Sequence, residues 1–171
     1  CDDSDASSTI VATDADCDGV LTDNGAGGFD CDDSDALVTN ECQDCIGDYT
    51  VNNQTDLDAI AFCRSIDGTL MIEDTNLTDL SELQYLTSIG TQFWIKDNTN
   101  LTSLSAFENL TYVGHFLKID GNNLLTSLDG LQNITDLTQN VQITWNDSLN
   151  SISALGDINL DPYSLTIGNN P

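Results

Sequence analysis

The chain has 171 residues and carries 29 acidic side chains against 3 lysines and arginines, a formal charge of −26. That imbalance excludes nucleic acid as a partner, because affinity there comes from cations meeting phosphates, and it excludes docking on an anionic membrane surface. No run of about 20 apolar residues occurs, so no segment reads as a membrane-spanning helix. The bases are Arg64, Lys96 and Lys118, which leaves residues 1–63 with none. A compact state with such self-repulsion calls for counter-ions. No signal peptide or targeting tail is visible, and the sequence opens inside one motif and closes inside another. It reads as a segment of a longer polypeptide.

Residues 1–44 form the first region, an irregular Asp-rich segment too poor in large apolar side chains to build a core alone. The string Cys1-Asp2-Asp3-Ser4-Asp5-Ala6 recurs 30 residues later as Cys31-Asp32-Asp33-Ser34-Asp35-Ala36. Between them, Asp14, Asp16 and Asp18 followed by Gly19 and Val20 match the first half of an EF-hand calcium loop. There the carboxylates at positions 1, 3 and 5 converge, Gly at 6 allows the turn, and position 7 (Val20) gives a backbone carbonyl. Position 12 is Gly25, so Asp23 or the next motif must replace the bidentate Glu. In a second loop Asp30, Asp32 and Ser34 take positions 1, 3 and 5 and Glu41 takes 12, with Asp35 where the Gly belongs. Hard oxygen ligands favour Ca²⁺ over zinc or copper, and several carboxylates in a flexible loop favour it over Mg²⁺. The competing reading is a solvated acidic linker.

Six cysteines, an even number, suggest disulfides and an oxidising compartment. Cys42 and Cys45 also have CxxC spacing, but there is no second CxxC and the one His, His115, is distant in sequence, which disfavours zinc. Residues 45–67 read as an N-terminal cap. Thr55 with Asp58 has capping-box spacing, and Leu57, Ile60 and Ala61 share a helical face.

Residues 68–171 are repetitive. Leu70-Met71-Ile72, Phe93-Trp94-Ile95, Leu117-Lys118-Ile119, Val141-Gln142-Ile143 and Leu165-Thr166-Ile167 are equivalent, and the last Ile recurs after 23, 24, 24 and 24 residues. A strand places the middle residue outward and its neighbours inward. Further apolar triplets follow (Leu77/Leu80/Leu83, Leu101/Leu104/Phe107, Leu125/Leu128/Leu131, Leu149/Ile152/Leu155), and pairs such as Leu86/Ile89 close each unit. One repeat cannot bury its own apolar face, whereas stacked repeats share a continuous core. The fold class is therefore mainly β: a short right-handed parallel β-solenoid of four to five coils, about 24 residues each, with a small capping helix. Asp74, Asn98, Asn122 and Asn146 form an Asx column suited to the bends.

On the outward face Met71 and Trp94 suggest a small interaction patch, and Trp145 is placed at a bend, covering the core edge. The column Met71, Trp94, Lys118, Gln142 and Thr166 is too irregular for an ice-binding array. Glu73 and Asp120 fall two strands apart, roughly 9–10 Å, the carboxylate spacing of an inverting glycosidase. Lys96 lies between them, so a salt-linked surface is the better reading and no enzyme activity is expected. Six N-x-[ST] sequons, at Asn53, Asn76, Asn100, Asn109, Asn133 and Asn146, suggest N-glycosylation.

The pattern Gly-x-Leu-x-Ile, then Asn-x-x-Leu-x-x-Leu-x-x-Leu, then Ile-Gly resembles the receptor L domain, the ligand-binding solenoid of insulin-type and epidermal-growth-factor-type receptors. The stretch Cys45-Ile-Gly-Asp-Tyr-Thr-Val through Cys63-Arg-Ser-Ile-Asp-Gly-Thr-Leu-Met-Ile is similar to fungal cell-wall relatives, which are glycosylated surface proteins. The resemblance covers residues 45–171 and implies a Cys45–Cys63 disulfide tying cap to first coil. The Asp-rich segment resembles thrombospondin type 3 repeats and DCDD-type metal-binding repeats. That resemblance adds Asp33 and Asp35 as calcium ligands, and assigns Asp2, Asp3 and Asp5 to a site completed before Cys1. It implies disulfides pinning the turns; the pairing among four cysteines stays open, with Cys1–Cys17 and Cys31–Cys42 as the working assignment. The functional expectation is a structural or adhesive module of a large extracellular, cell-surface calcium-binding glycoprotein. It would assemble end to end with copies of itself or with flanking repeats, as a fibre or coat. The alternative is a receptor-like ectodomain recognising a protein or glycan ligand on the solenoid face.

Overall fold

The computed structural model describes residues 29–30, 41–137, 139–156 and 164–171. The chain divides into two compact units, Cys1–Gln43 and Asp44–Pro171. In the first, strand β1 (Phe29–Asp30) pairs antiparallel with the start of β2 (Glu41–Cys45), setting Phe29 opposite Cys42 and Asp30 opposite Glu41.

The second unit is mainly β, with parallel strands in two sheets and one short α-helix. β3 (Tyr49–Val51) leads into helix α1 (Gln54–Asp58) and then β4 (Cys63–Ile66). Strands β5 (Leu70–Glu73), β6 (Ser88–Ile89), β7 (Gln92–Lys96), β8 (Tyr112–Val113), β9 (Phe116–Asp120), β10 (Asp136–Leu137), β11 (Asn140–Thr144) and β12 (Leu165–Gly168) follow. The longer sheet runs β12-β11-β9-β7-β5-β3, and the shorter one runs from the end of β2 through β4, β6, β8 and β10.

Register follows from the alternation of side chains. Ile72, Ile95, Ile119, Ile143 and Ile167 are lateral neighbours, as are Leu70, Phe93, Leu117, Val141 and Leu165. Through β11 both columns are buried. In β12, at the sheet edge, Leu165 and Ile167 are each 44 % exposed, so the last repeat has its apolar residues in place but nothing over them among the described residues. The shorter sheet adds the buried column Ile66, Ile89, Val113 and Leu137. Short 3₁₀ turns at Ser81–Leu83 and Ser105–Phe107 add Leu83 and Phe107, and Phe107 meets Phe93 edge-on at 4.8 Å.

Two polar columns organise the bends after the longer sheet. Two residues past each Ile the backbone is left-handed: Asp74 (φ 55), Asp97 (φ 54), Gly121 (φ 71), Trp145 (φ 58) and Asn169 (φ 55). The same residues link neighbouring repeats. Asp74, Asp97, Gly121 and Trp145 donate their N–H to the carbonyls of Lys96, Asp120, Thr144 and Gly168, at 2.9–3.3 Å. One residue further lies a ladder of Thr75, Asn98, Asn122 and Asn146, all buried, ending in the half-buried Asn170. Each Asn Oδ1 accepts the backbone N–H of the ladder residue before it, at 2.9–3.2 Å. Each Nδ2 donates to a carbonyl of the preceding repeat: Ile72, Ile95, Ile119 and Ile143, at 2.9–3.1 Å. The first spacing is 23 residues, so Thr75 and not Asp74 is the first member. Asp74 is exposed and belongs to the left-handed column, and Asn170 extends the ladder.

The helix cap also differs from the expected Thr55/Asp58 box. Asn53 is the N-cap: its side chain accepts from the Asp56 N–H at 3.1 Å, while the Asp56 carboxylate accepts from the Asn52 N–H at 3.0 Å. This is a relative of the capping box two residues earlier, in which the returning carboxylate takes the N–H of the residue before the cap. Leu57 and Ile60 are buried as the helical face requires, and Ala61 is half-buried.

At one corner the repeats approach so closely that only glycine fits. A Cβ on Gly114 would overlap the carbonyl of Gly90, and one on Gly90 would overlap that of Asp67. Gly114→Ala is expected to cost about 2 kcal/mol through forced backbone displacement, measured as a lower urea midpoint at unchanged slope.

Asp79 precedes a 3₁₀ turn, and its carboxylate accepts from the Ser81 hydroxyl at 2.8 Å and the Ser81 N–H at 3.2 Å. The hydroxyl bond first, then the backbone bond, hold its pKa below the ordinary 3.8. A depressed folded-state pKa stabilises above the unfolded value, and that contribution disappears as pH falls through the lowered one. In a carboxyl NMR titration Asp79 is expected to titrate below 3.8, and Ser81→Ala is expected to bring it back toward that value.

Candidate functional site

The outward face of the longer sheet carries the most concentrated non-structural chemistry. Its central column reads Thr50, Met71, Trp94, Lys118, Gln142 and Thr166 in direct lateral register. The ends are polar and the middle is bulky. Trp94 meets Phe116, one strand over, edge-on with centroids 6.5 Å apart. The Lys118 ammonium lies 5.7 Å from the Trp94 ring centroid, within cation–π range. Met71, Trp94, Phe116 and Lys118 are all half-buried. The expected pair Met71 and Trp94 is thus adjacent, and Phe116 joins it. Phe116 stands where β7 and β11 have Gln92 and Asn140, an aromatic in an otherwise polar column. Trp94 Nε1 is enclosed with no hydrogen-bond partner among the described residues. Such a donor costs about 1–3 kcal/mol, a cost that nothing in the core requires at an outward position.

Beside this column runs Glu73, Lys96, Asp120 and Thr144. Lys96 bonds Asp97 at 2.6 Å, and Lys118 lies 3.5 Å from Asp120. The hydrogen bond to Asp97, then its charge, keep the Lys96 pKa above its ordinary value. Asp120 also accepts from the Thr144 hydroxyl at 2.5 Å. Glu73 and Asp120 are held apart by the Lys96 strand, and Asp120 is engaged by Lys118 and Thr144. That arrangement is a salt-linked surface, though Lys96 takes Asp97 as its partner rather than either strand carboxylate.

The sequons are not on this face. Asn76 and Asn100 are exposed in the bends after β5 and β7. Asn109 and Asn133 are exposed elsewhere, each donating Nδ2 to a carbonyl of the preceding repeat, Gln84 at 2.8 Å and Glu108 at 2.7 Å. Asn53 is the exposed helix cap. Asn146 is a correction: it is fully buried in the ladder, with Nδ2 donating to the Ile119 and Thr144 carbonyls, so a sugar cannot be seated there in the folded chain. Trp145 is a second correction. It is at a bend, as expected, but 58 % exposed rather than covering the core. A bulky residue in left-handed conformation costs about 1–3 kcal/mol, and the equivalent positions hold Asp, Asp, Gly and Asn.

Cys45 and Cys63 are disulfide-bonded, both buried. The calcium ligands expected at Asp2, Asp3, Asp5, Asp14, Asp16, Asp18, Val20, Asp23, Asp32, Asp33, Ser34 and Asp35 lie outside the described residues, as do Cys1, Cys17 and Cys31. Asp30 and Glu41, positions 1 and 12 of the second loop, are direct cross-strand partners. No described helix is long and apolar enough to cross a membrane.

Residues 62–126 match the Receptor L domain family. That span includes Met71, Trp94, Phe116 and Lys118, and it stops short of Trp145. No curated protein matches the chain.

Proposed function

We propose that the Asp44–Pro171 unit is the ligand-binding part of an extracellular, receptor-like, non-enzymatic protein, and that it takes its ligand on the outward face of the longer sheet. The observation that carries this reading is the Trp94–Phe116–Lys118 cluster, held within the segment that resembles the Receptor L domain. Tryptophan is among the residues most enriched at the anchors of recognition surfaces, and here it is half-buried with an aromatic and a cation beside it. A buried disulfide and sequons that avoid the sheet fit an oxidising, glycosylating compartment, with sugars at Asn53, Asn76, Asn100, Asn109 and Asn133. The parallel register and recurrence of about 24 residues support a right-handed solenoid of four to five coils, since parallel crossovers are right-handed. The test uses the full chain against an array of extracellular protein domains and glycans. At least one is expected to bind with micromolar affinity or better, about tenfold weaker for Trp94→Thr, the residue found at both ends of that column. A ligand indifferent to Trp94→Thr and Met71→Thr would remove the sheet face from the proposal.

Calcium binding by the Asp-rich segment is part of the same reading. In support, Asp30 and Glu41, positions 1 and 12 of its second loop, are cross-strand partners. Calcium added to the EDTA-treated chain is expected to change its circular dichroism, with EGTA reversing it; no change rejects this part. A second reading, an adhesive module joining end to end, draws support from the half-exposed Leu165 and Ile167 on the edge strand. A chain that stays monomeric by light scattering in millimolar calcium would exclude it.

A further inference from the structure

Trp145 is the least economical residue in the second unit. Its φ of 58° is one that a bulky side chain rarely adopts, and the residue remains 58 % exposed. The other residues of that column, Asp74, Asp97, Gly121 and Asn169, are types that tolerate the left-handed region or need no side chain. The fold therefore gains neither backbone comfort nor burial from a tryptophan there. In the neighbouring bend Leu124 is 48 % exposed. Its place in the repeat is that of the sequons Asn76 and Asn100, and the same place after Trp145 is Ser148, so neither bend presents an exposed sequon asparagine; the Asn146 sequon beside Trp145 is buried.

Charge selects the occupant. Asp97, Asp120 and Asp147 occur in or beside these bends, in a chain with 29 acidic residues and 3 lysines and arginines. Lys96 is bonded to Asp97, and Lys118 stands between Asp120 and the Trp94 ring. Trp94 already has a cation over its face, whereas Trp145 has none among the described residues. An exposed indole in an acidic field is the strongest side-chain receptor for an arginine or lysine.

We infer that the bends holding Leu124 and Trp145 are a docking point for a basic segment of a partner protein, with an arginine or lysine stacked on the Trp145 indole and its neighbour packed on Leu124. This rests on the ligand-binding reading above and adds a contact away from the sheet face. It also sets the class of partner: a cationic protein segment, steered in by the negative field.

The test is an NMR titration of the full chain with a short Arg-Gly repeat peptide, a Glu-Gly peptide, and a neutral oligosaccharide. The Trp145 indole N–H resonance is expected to shift saturably with the Arg-Gly peptide alone. Affinity is expected to fall at least about tenfold for Trp145→Asn, and to weaken as salt rises. Asn occupies the equivalent position 169, so this variant is expected to fold at least as stably as the parent. The inference is overturned if the peptide leaves the Trp145 indole unmoved, if Trp145→Asn binds as tightly, or if the oligosaccharide shifts Trp145 and the peptide does not. A ligand from the array that loses affinity with Trp94→Thr while any of these occurs leaves the sheet-face reading intact. If neither tryptophan responds to any probe, both readings fall.

Discussion

Asn122→Ala is expected to destabilise the second unit by about 4 kcal/mol. Asn122 is fully buried and serves three repeats at once. Its Nδ2 donates to the Ile95 carbonyl at 2.9 Å, the Asp120 carbonyl at 3.2 Å and Asn146 Oδ1 at 3.3 Å. Its Oδ1 accepts from the Asn98 N–H at 3.2 Å and Asn98 Nδ2 at 3.1 Å. Truncation strands the Ile95 carbonyl and the Asn98 N–H in the interior, each at about 1–3 kcal/mol, and leaves a small void besides. The exposed neighbour gives the control: Asn123→Ala removes only a 3.4 Å bond from the Asp147 N–H and is expected to stay within about 0.5 kcal/mol. Urea denaturation of both variants decides the matter. A loss below about 1 kcal/mol for Asn122→Ala would mean that the ladder follows the stacking of the repeats and does not hold it.

The ladder also marks where sequence reasoning reached its limit. The isoleucine column was legible because strand periodicity and the recurrence of about 24 residues reinforce each other at every strand. The Asx column was legible in kind but not in register. Asp74 and Thr75 both suit a bend, and only pairing of Ile72 with Ile95 across the short 23-residue spacing decides which enters the core. The same ambiguity moved the helix cap from Thr55 to Asn53, since several residues before Leu57 are good caps and backbone geometry chooses among them. Of the outward patch, Met71 and Trp94 followed from alternation alone. Phe116 stayed hidden because it lies at the start of its strand, where the polar Gln92 and Asn140 occupy the equivalent places. Trp145 was misplaced for a different reason. A tryptophan among apolar residues ordinarily covers a core, and its left-handed backbone has no local sequence signature. The Cys45–Cys63 pairing came from a resemblance rather than from spacing, as must be so when six cysteines allow fifteen pairings.

That disulfide carries the second large effect. Replacing Cys45 and Cys63 together by Ala is expected to cost about 3 kcal/mol, the loop-closure entropy for a link of 18 residues. The loss should be local in origin. The loop it closes contains β3, α1 and the turn after it, whose buried Val51, Leu57 and Ile60 form the first edge of the core. Without the crosslink, this end is still tied to the chain after it by hydrogen bonds, among them Asp67 N–H to the Cys45 carbonyl at 3.0 Å, Ser65 hydroxyl to Asp44 at 2.6 Å and Gly47 N–H to the Asp67 carboxylate at 2.6 Å. The two bonds to carboxylates are exposed. β9 and β11, by contrast, have parallel neighbours on both sides and a filled core beneath. Because repeats in a stack are coupled to nearest neighbours only, opening should begin at the first repeat and fade along the stack. Hydrogen exchange on the double-alanine variant is accordingly expected to show lost protection in residues 45–60, with β9 and β11 protected nearly as in the parent. Uniform loss through β11 would show instead that the second unit unfolds as one cooperative block, with the disulfide stabilising all of it equally.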